Sequence, residues 1–466
     1  VEEVLSWLDE HEDEIVGDLV EFLRIPSVSA DPALAPEVGR CAEWLASAFR
    51  AAGLSAAVEE TGGHPAVVAE WRGAPDAPTA LVYGHYDVQP ADPPTDWTSP
   101  PFEPSIRDGS VVARGATDDK GQVFCHLAAV RAHLAVRGRL PVNVVFLVEG
   151  EEESGSANLE PFVERSRKRL SCDAVVVSDS SQFAGGLPAL TYGLRGLVYL
   201  ELTVTGPGRD LHSGSFGGAV ANPANALARM LALLHDDAGR VAVPGFYDDV
   251  KPLQEWEREA FGALPFDEEG YCTDLGVDAL PGEEGYSVLE RVWARPTLDV
   301  NGLWSGYTGE GAKTVLPAKA SAKLSCRLVP DQDPERVAEA LEGRLRELTP
   351  AGCRLEVRRL HGARPVLLPV DAPAVRAARE AVRRGFGVEP VWIREGGSIP
   401  VVEAFQRLLG VPVVLLGFGR PDDRAHGPDE RFCMDDLRSG MRTSAWLWEI
   451  LAGAVEPTVR IAGERR

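Results

Sequence analysis

Five short segments of this chain set acids or a histidine directly after an apolar or glycine-flanked stretch. They are LVYGHYDVQP with His85 and Asp87, ARGATDDKG with Asp118 and Asp119, VFLVEGEEESGS with Glu152 and Glu153, VVVSDSS with Asp179, and VVLLGFG followed by Asp422 to His426. Two histidines and several carboxylates in one cleft make a donor set for a borderline divalent metal. Imidazole nitrogen and carboxylate oxygen suit Zn²⁺ first, and Mn²⁺ or Co²⁺ as well. Two ions sharing a carboxylate can clamp and acidify a bridging water and polarise a carbonyl. A free carboxylate beside them can take the water's proton and pass it to a leaving amine. Taken singly, each segment has a plainer reading. A strand-end histidine is commonly a hydrogen-bonded structural residue, a glutamate run a solvated surface, and an Asp pair a turn or cap. The combination carries the signal.

Such groups need elements to bring them together. Ala80–Tyr83, Val142–Val148, Ala174–Val177 and Val413–Leu416 are short, β-branched apolar runs, and Gly121 to Arg137 reads as a helix between two of them. This alternation predicts an α/β domain with a largely buried, mostly parallel sheet. Ligand sites in such sheets lie beyond the carboxyl ends of the strands, where four of the five segments fall. From about residue 192 the texture changes. Val198, Leu200, Leu202 and Val204 alternate with polar partners, as do Ala322, Leu324, Cys326 and Leu328, and Cys353 to Leu360 reads as a further strand. Asn222 to Leu234 and a segment opened by Asp333-Pro334 read as helices. The expectation is a discontinuous α/β domain, 1–191 and 372–466, with an α+β domain, 192–371, inserted into it. Residues 236–296 are rich in Asp and Glu and give no clear periodicity.

Composition narrows the class. With 466 residues and 44% hydrophobic content, two domains and a sizeable core are expected. The formal net charge of −24 argues against nucleic-acid binding, which needs a basic footprint. No apolar run approaches a membrane span, and the acidic, amphipathic start is unlike a secretory signal. Seven cysteines without a CxxC pair suit free thiols in a reducing, cytoplasmic setting.

The order GHYDVQP, RGATDDKG, EGEEESGS, SDSS, GRDLHSGSFGG, GAKTVLP, REGGSIP and AHGPDE resembles the co-catalytic zinc metallopeptidases. That family includes carnosinase-like dipeptidases, carboxypeptidase G, aminoacylase and succinyl-diaminopimelate desuccinylase, and the RDLHSG, GAKTV and GGSIP segments resemble its carnosinase-like branch. The likeness runs from about residue 15 to about residue 450. It implies that the first domain is a zinc-peptidase-like catalytic domain and the inserted one a ferredoxin-like lid and dimerisation domain. It implies that His85 and Asp179 hold one metal, that Asp118 bridges to a second, and that Glu153 and His426 complete the second. It further implies that Asp87 orients His85, that Glu152 is the general base and acid, and that an unusual, cis peptide bond precedes Asp119. His212 would cross a dimer interface to stabilise the oxyanion in the partner's site. Arg327 would take the substrate carboxylate, with Thr314 and Ser398 on the substrate's carboxylate end and backbone. The remaining histidines, at 11, 64, 126, 133, 235 and 361, match no family motif and read as structural or surface residues.

The activity so implied is dipeptide hydrolysis by a homodimeric metallopeptidase, with a metal-bridged hydroxide as nucleophile. An N-acyl-amino-acid deacylase or desuccinylase on the same site is the alternative. A catalytically dead binding protein on this fold is a second, against which the intact Glu152 and five ligand positions argue.

Overall fold

A computed structural model describes residues 1–457. The chain divides into two compact units: residues 1–192, 368–393 and 401 onward form one, and 193–367 with 394–400 the other. The short stretch carrying Ser398 thus groups with the second unit.

The first unit is built on a sheet whose four middle strands are, in spatial order, Asn143–Glu149, Thr79–His85, Ala174–Val177 and Val413–Leu416. All three pairings among them are parallel. Antiparallel strands flank them, Ala66–Trp71 and Ser55–Glu59 on one side and Ala189–Leu194 on the other. The sequence reason is visible in the burial. Every residue of Thr79–His85 and of Ala174–Val177 is buried, which is why these strands read as unbroken apolar runs. Parallel neighbours end together, so the carboxyl ends of these four strands lie along one rim.

Helix Lys120–Arg137 is buried almost all round from Lys120 to His133, with only Arg131 in that run half-buried. It packs on the strand Thr79–His85 and against helix Met434–Ala454, which in turn packs on Pro373–Phe386. A helix apolar on every face belongs inside a layer, and this one has helices outside it and the sheet beneath. The amphipathic start is two helices, Glu2–Glu10 and Glu12–Leu23, broken at His11, whose Nδ1 lies 2.8 Å from the Trp7 carbonyl.

The second unit has a four-stranded antiparallel sheet in the order Thr297–Ser305, Lys319–Leu328, Gly196–Thr205, Arg354–Ala363. Gly196–Thr205 alternates buried and half-buried residues along its whole length, as its sequence predicts. Its buried residues meet helices Pro223–Ala232 and Pro334–Leu348 in one core. Both helices start as expected, Asn222 accepting from the Ala224 amide and Asp333 from those of Glu335 and Arg336. The acid-rich region resolves into helices Glu255–Gly262, Glu268–Leu275 and Val288–Ala294. Thr297–Ser305, which follows it, is an edge strand with Val300, Leu303 and Trp304 exposed.

Candidate metal centre

The first unit gathers the predicted metal-binding side chains at the rim of its parallel strands. His85 is the last residue of Thr79–His85, and Asp179 lies just past Ala174–Val177. Glu152 and Glu153 form a short 3-10 turn after Asn143–Glu149. Asp118 stands in the loop before helix Lys120–Arg137, and the peptide bond that links it to Asp119 is cis. His426 lies in the loop after Val413–Leu416, at φ 63°, a left-handed conformation that non-glycine residues adopt seldom and that clusters at functional sites.

Two groups of donor atoms result, and Asp118 belongs to both. His85, Asp118 and Asp179 form the first, and Asp118, Glu153 and His426 the second. His85 Nε2 is 3.0 Å from Asp118 Oδ1 and 3.9 Å from Asp179 Oδ1. His426 Nε2 is 2.9 Å from Asp118 Oδ2 and 3.3 Å from Glu153 Oε2. Each oxygen of Asp118 therefore faces its own histidine. Donors about 2.1 Å from one tetrahedral ion stand roughly 3.4 Å from each other, and these separations bracket that value.

The charge balance points the same way. Burial pushes the Asp179 carboxyl well above its usual range, with Asp118, Glu152 and Glu153 adding to it against the opposing pull of His85. Burial raises Glu152 to about 7, and Glu153, Asp118 and Asp87 act in the same direction. Burial opposes protonation of His85, but Asp118, Asp87 and Asp179 outweigh it and hold the ring well above its usual value. Hydrogen bonds with Asp118 and Glu153 raise His426 to about 10. Carboxylates this crowded call for cations, which two divalent ions at these donors would supply. The residues present fit a dinuclear site.

Behind the donors lies a buried scaffold. The Asp87 carboxylate accepts from the backbone amides of Glu152 at 3.2 Å and Glu153 at 3.1 Å. His85 Nδ1 meets the Asp87 carbonyl oxygen at 3.0 Å, with the carboxylate further off at 3.5 Å. So Asp87 holds the two glutamates as firmly as it holds His85. Gln89 Nε2 donates to Glu153 Oε2 at 2.7 Å. Gly84 leaves room for this packing, because a Cβ there would stand 2.5 Å from Asp119 Oδ2, which accepts from the His85 amide. Gly417 does the same beside the Asp179 loop, where a Cβ would meet the Ser180 carbonyl at 1.8 Å.

The residue that sequence reasoning missed is Glu430. Fully buried, it accepts from Arg114 Nη1 at 2.8 Å and from the amides of Gly115, Thr117 and Asp118 at 2.9, 3.0 and 3.1 Å. It fixes the loop that carries Asp118. It stands four residues after His426 in AHGPDE, a stretch that reads as exposed turn.

The remaining candidates lie in the second unit, as two pairs. Strand Leu211–His212 pairs with Val315–Leu316, and the Thr314 carbonyl accepts from the Ser213 amide at 3.0 Å. His212 Nδ1 accepts from the Gly214 amide at 3.0 Å, which leaves the proton on Nε2 of this exposed ring. Arg327 Nη1 donates to Ser398 Oγ at 3.3 Å. Of the histidines set aside in the sequence, His126 is buried between Ser178 and Ser444, and His361 stacks on Tyr199.

Known proteins resemble this chain along most of its length. The chain is 32% identical over 458 residues to a Cys-Gly metallodipeptidase from Schizosaccharomyces pombe, covering 95% of this chain and 96% of that one. It is 34% identical over 449 residues to the Beta-Ala-His dipeptidase of Homo sapiens, covering 92% and 89%. The crystal structure of a metallo-carboxypeptidase from Sulfolobus solfataricus superposes with a TM-score of 0.84 at 36% identity, over 94% of this chain and 99% of that one. The model of peptidase family M20/M25/M40 matches residues 81–449, and the chain belongs to that family.

Proposed function

We propose that this peptidase is a metal-dependent dipeptidase with Glu152 as its proton shuttle. The observation that carries this reading is the pair of donor groups joined through Asp118, with Glu152 beside them. His85 and Asp179 would hold one ion, Glu153 and His426 the other, and Asp118 both. When bound, the two ions supply Lewis acidity to the scissile carbonyl and to the attacking water. Zn²⁺ suits this nitrogen and oxygen donor set best, and Mn²⁺ or Co²⁺ are compatible.

The chain's own residues do the rest. Glu152, drawn by burial to about 7, takes a proton from water and delivers it to the leaving amine. Asp87 keeps Glu152, Glu153 and His85 in register through the contacts described above. His212, with its Nε2–H free, donates to the carbonyl oxygen as charge develops there, from the partner subunit of a homodimer. Arg327 receives the substrate's carboxylate, with Thr314 and Ser398 on the substrate's carboxylate end and backbone. The exposed apolar residues of edge strand Thr297–Ser305 support pairing of copies through the second, lid-like unit. All seven cysteines are free, which supports a cytoplasmic location. Among the described residues no helix is long and apolar enough to cross a membrane.

The test is hydrolysis by metal-stripped protein titrated with Zn²⁺ and Mn²⁺, on dipeptides against N-acetyl and N-succinyl amino acids. Release of free amino acids from dipeptides, restored near two ions per subunit, supports the proposal. Activity confined to acylated amino acids moves the function to a deacylase or desuccinylase on the same site. Bound metal without turnover on any amide leaves a binding protein.

A further inference from the structure

Two guanidiniums in the second unit lie together, neither in an ion pair among the described residues. Arg195 and Arg327 line one groove, along with Val292, Leu298, Asp299 and Ser325. Ser398 ties the two together, accepting from Arg327 Nη1 and donating to the Arg195 carbonyl. Arg195 is anchored on its other side, its Nε donating to the Gly396 carbonyl at 3.1 Å. That leaves Nη1, shielded from water and without an acceptor among the described residues.

In a chain this acidic the arrangement is unusual. Arg195 and Arg327 are half-buried, whereas the buried arginines each face a carboxylate: Arg114 meets Glu430, Arg295 meets Glu283 and Arg394 meets Glu257. Burial, and then the neighbouring charge of Arg327, lowers Arg195 to about 10, with Asp299 opposing. Two guanidiniums and Asp299 leave one net positive charge, which one carboxylate neutralises. A stranded, desolvated guanidinium donor is a cost that such a ligand removes.

We propose that Arg195 is a second cationic residue for the substrate's terminal carboxylate, seating it jointly with Arg327. Ser398 holds the Arg327 fork in place, and the 395–397 backbone holds Arg195, so the pair is preorganised for an anion with two oxygens. This rests on the dipeptidase reading above and adds a residue to its carboxylate subsite.

The experiment compares Arg195→Met and Arg195→Lys with the wild type, all zinc-loaded and matched for metal content. KM and kcat are measured on a dipeptide and on its C-terminal amide. Binding of hexanoate, a monocarboxylate with no amide to cleave, is followed by calorimetry. Arg195→Met is expected to raise the dipeptide KM about 10- to 100-fold, the effect of losing a charge-assisted hydrogen bond, with a much smaller change in kcat. Hexanoate affinity falls in parallel, Arg195→Lys recovers part of both, and the amide's KM barely moves. An unchanged dipeptide KM and hexanoate affinity in Arg195→Met overturns the proposal. So does an equal rise in KM for acid and amide, which would make Arg195 only a prop for residues 395–397. If the wild type cleaves no dipeptide, the dipeptidase reading fails, and the hexanoate titration still decides on Arg195.

Discussion

Replacing Asp87 with Asn tests the scaffold behind the metal centre. The side chain keeps its size, so packing is preserved around a fully buried position. In the native structure Oδ1 serves the Glu152 amide and Oδ2 the Glu153 amide. Asn turns one of those oxygens into an NH₂ group, so one backbone amide then faces a donor. A buried N–H stranded in this way costs about 1–3 kcal/mol, which is roughly 5- to 150-fold in an equilibrium constant. That cost falls on the turn that carries both a proposed ligand and the proposed base. The charge opposite His85 is lost as well. Zinc affinity is therefore expected to drop about 10- to 100-fold, the usual penalty for removing a partner of a metal ligand. The assay is titration of stripped protein with zinc against a chromophoric chelator, with kcat measured at saturating metal. Saturating zinc should refill the site yet leave kcat depressed, because Glu152 remains poorly held. Zinc affinity and kcat both within twofold of the wild type would refute the reasoning.

Three further outcomes are expected. Glu152→Gln lowers kcat by about 100- to 10,000-fold, the contribution of a positioned acid–base, while metal content stays at the wild-type level. Metal analysis beside turnover checks this, and joint loss of both would remove Glu152 from the proton-shuttle role. If His212 acts in trans, mixing the inactive Glu152→Gln and His212→Ala proteins restores about a quarter of wild-type activity, because half the dimers are hybrids with one complete site each. Absence of recovery after verified subunit exchange argues for action in cis. Stripped protein should melt at progressively lower temperature from about pH 5 to about 9. Glu152, raised from 4.5 to about 7, destabilises the folded state as it ionises over that interval. His426, raised from 6.5 to about 10, stabilises fully below its ordinary value and loses that contribution as pH climbs through the folded one. Both shifts act in the same sense, so the gain in melting temperature on adding zinc should widen with pH. A flat or rising melting curve for stripped protein contradicts this.

Much of the candidate centre could be read from the chain because its proposed ligands sit where apolar strands run out. His85, Asp179 and the Glu152–Glu153 pair each follow a buried strand whose composition alone marks it. What could not be read is what depends on distant pairing. Glu430 meets the 114–118 loop across more than 300 residues, and nothing local separates a buried anchor from a solvated acid. The acid-rich region hid its helices for a different reason. Its acids serve as caps, Asp267 accepting from the Gly270 amide and Glu290 closing a box with Ser287, so they masked the periodicity they terminate. The Ser287-Val-Leu-Glu290 spacing was the available signal. The expected alternation of Gly196–Thr205 was plain because one face of that strand alone meets the helices.

The anchoring of the Asp118 loop by Glu430 also fixes when the enzyme can exist during its own synthesis. A ribosome has released His85, Asp118 and both glutamates long before it reaches residue 426, and the carboxylate that pins the bridging loop comes later still. A chain that stops short of residue 426 therefore carries four of the five proposed donors, with the Asp118 loop lacking its Glu430 anchor. On the proposed assignment, peptide cleavage waits until residues 426–430 are made, just before the last described helix, Met434–Ala454.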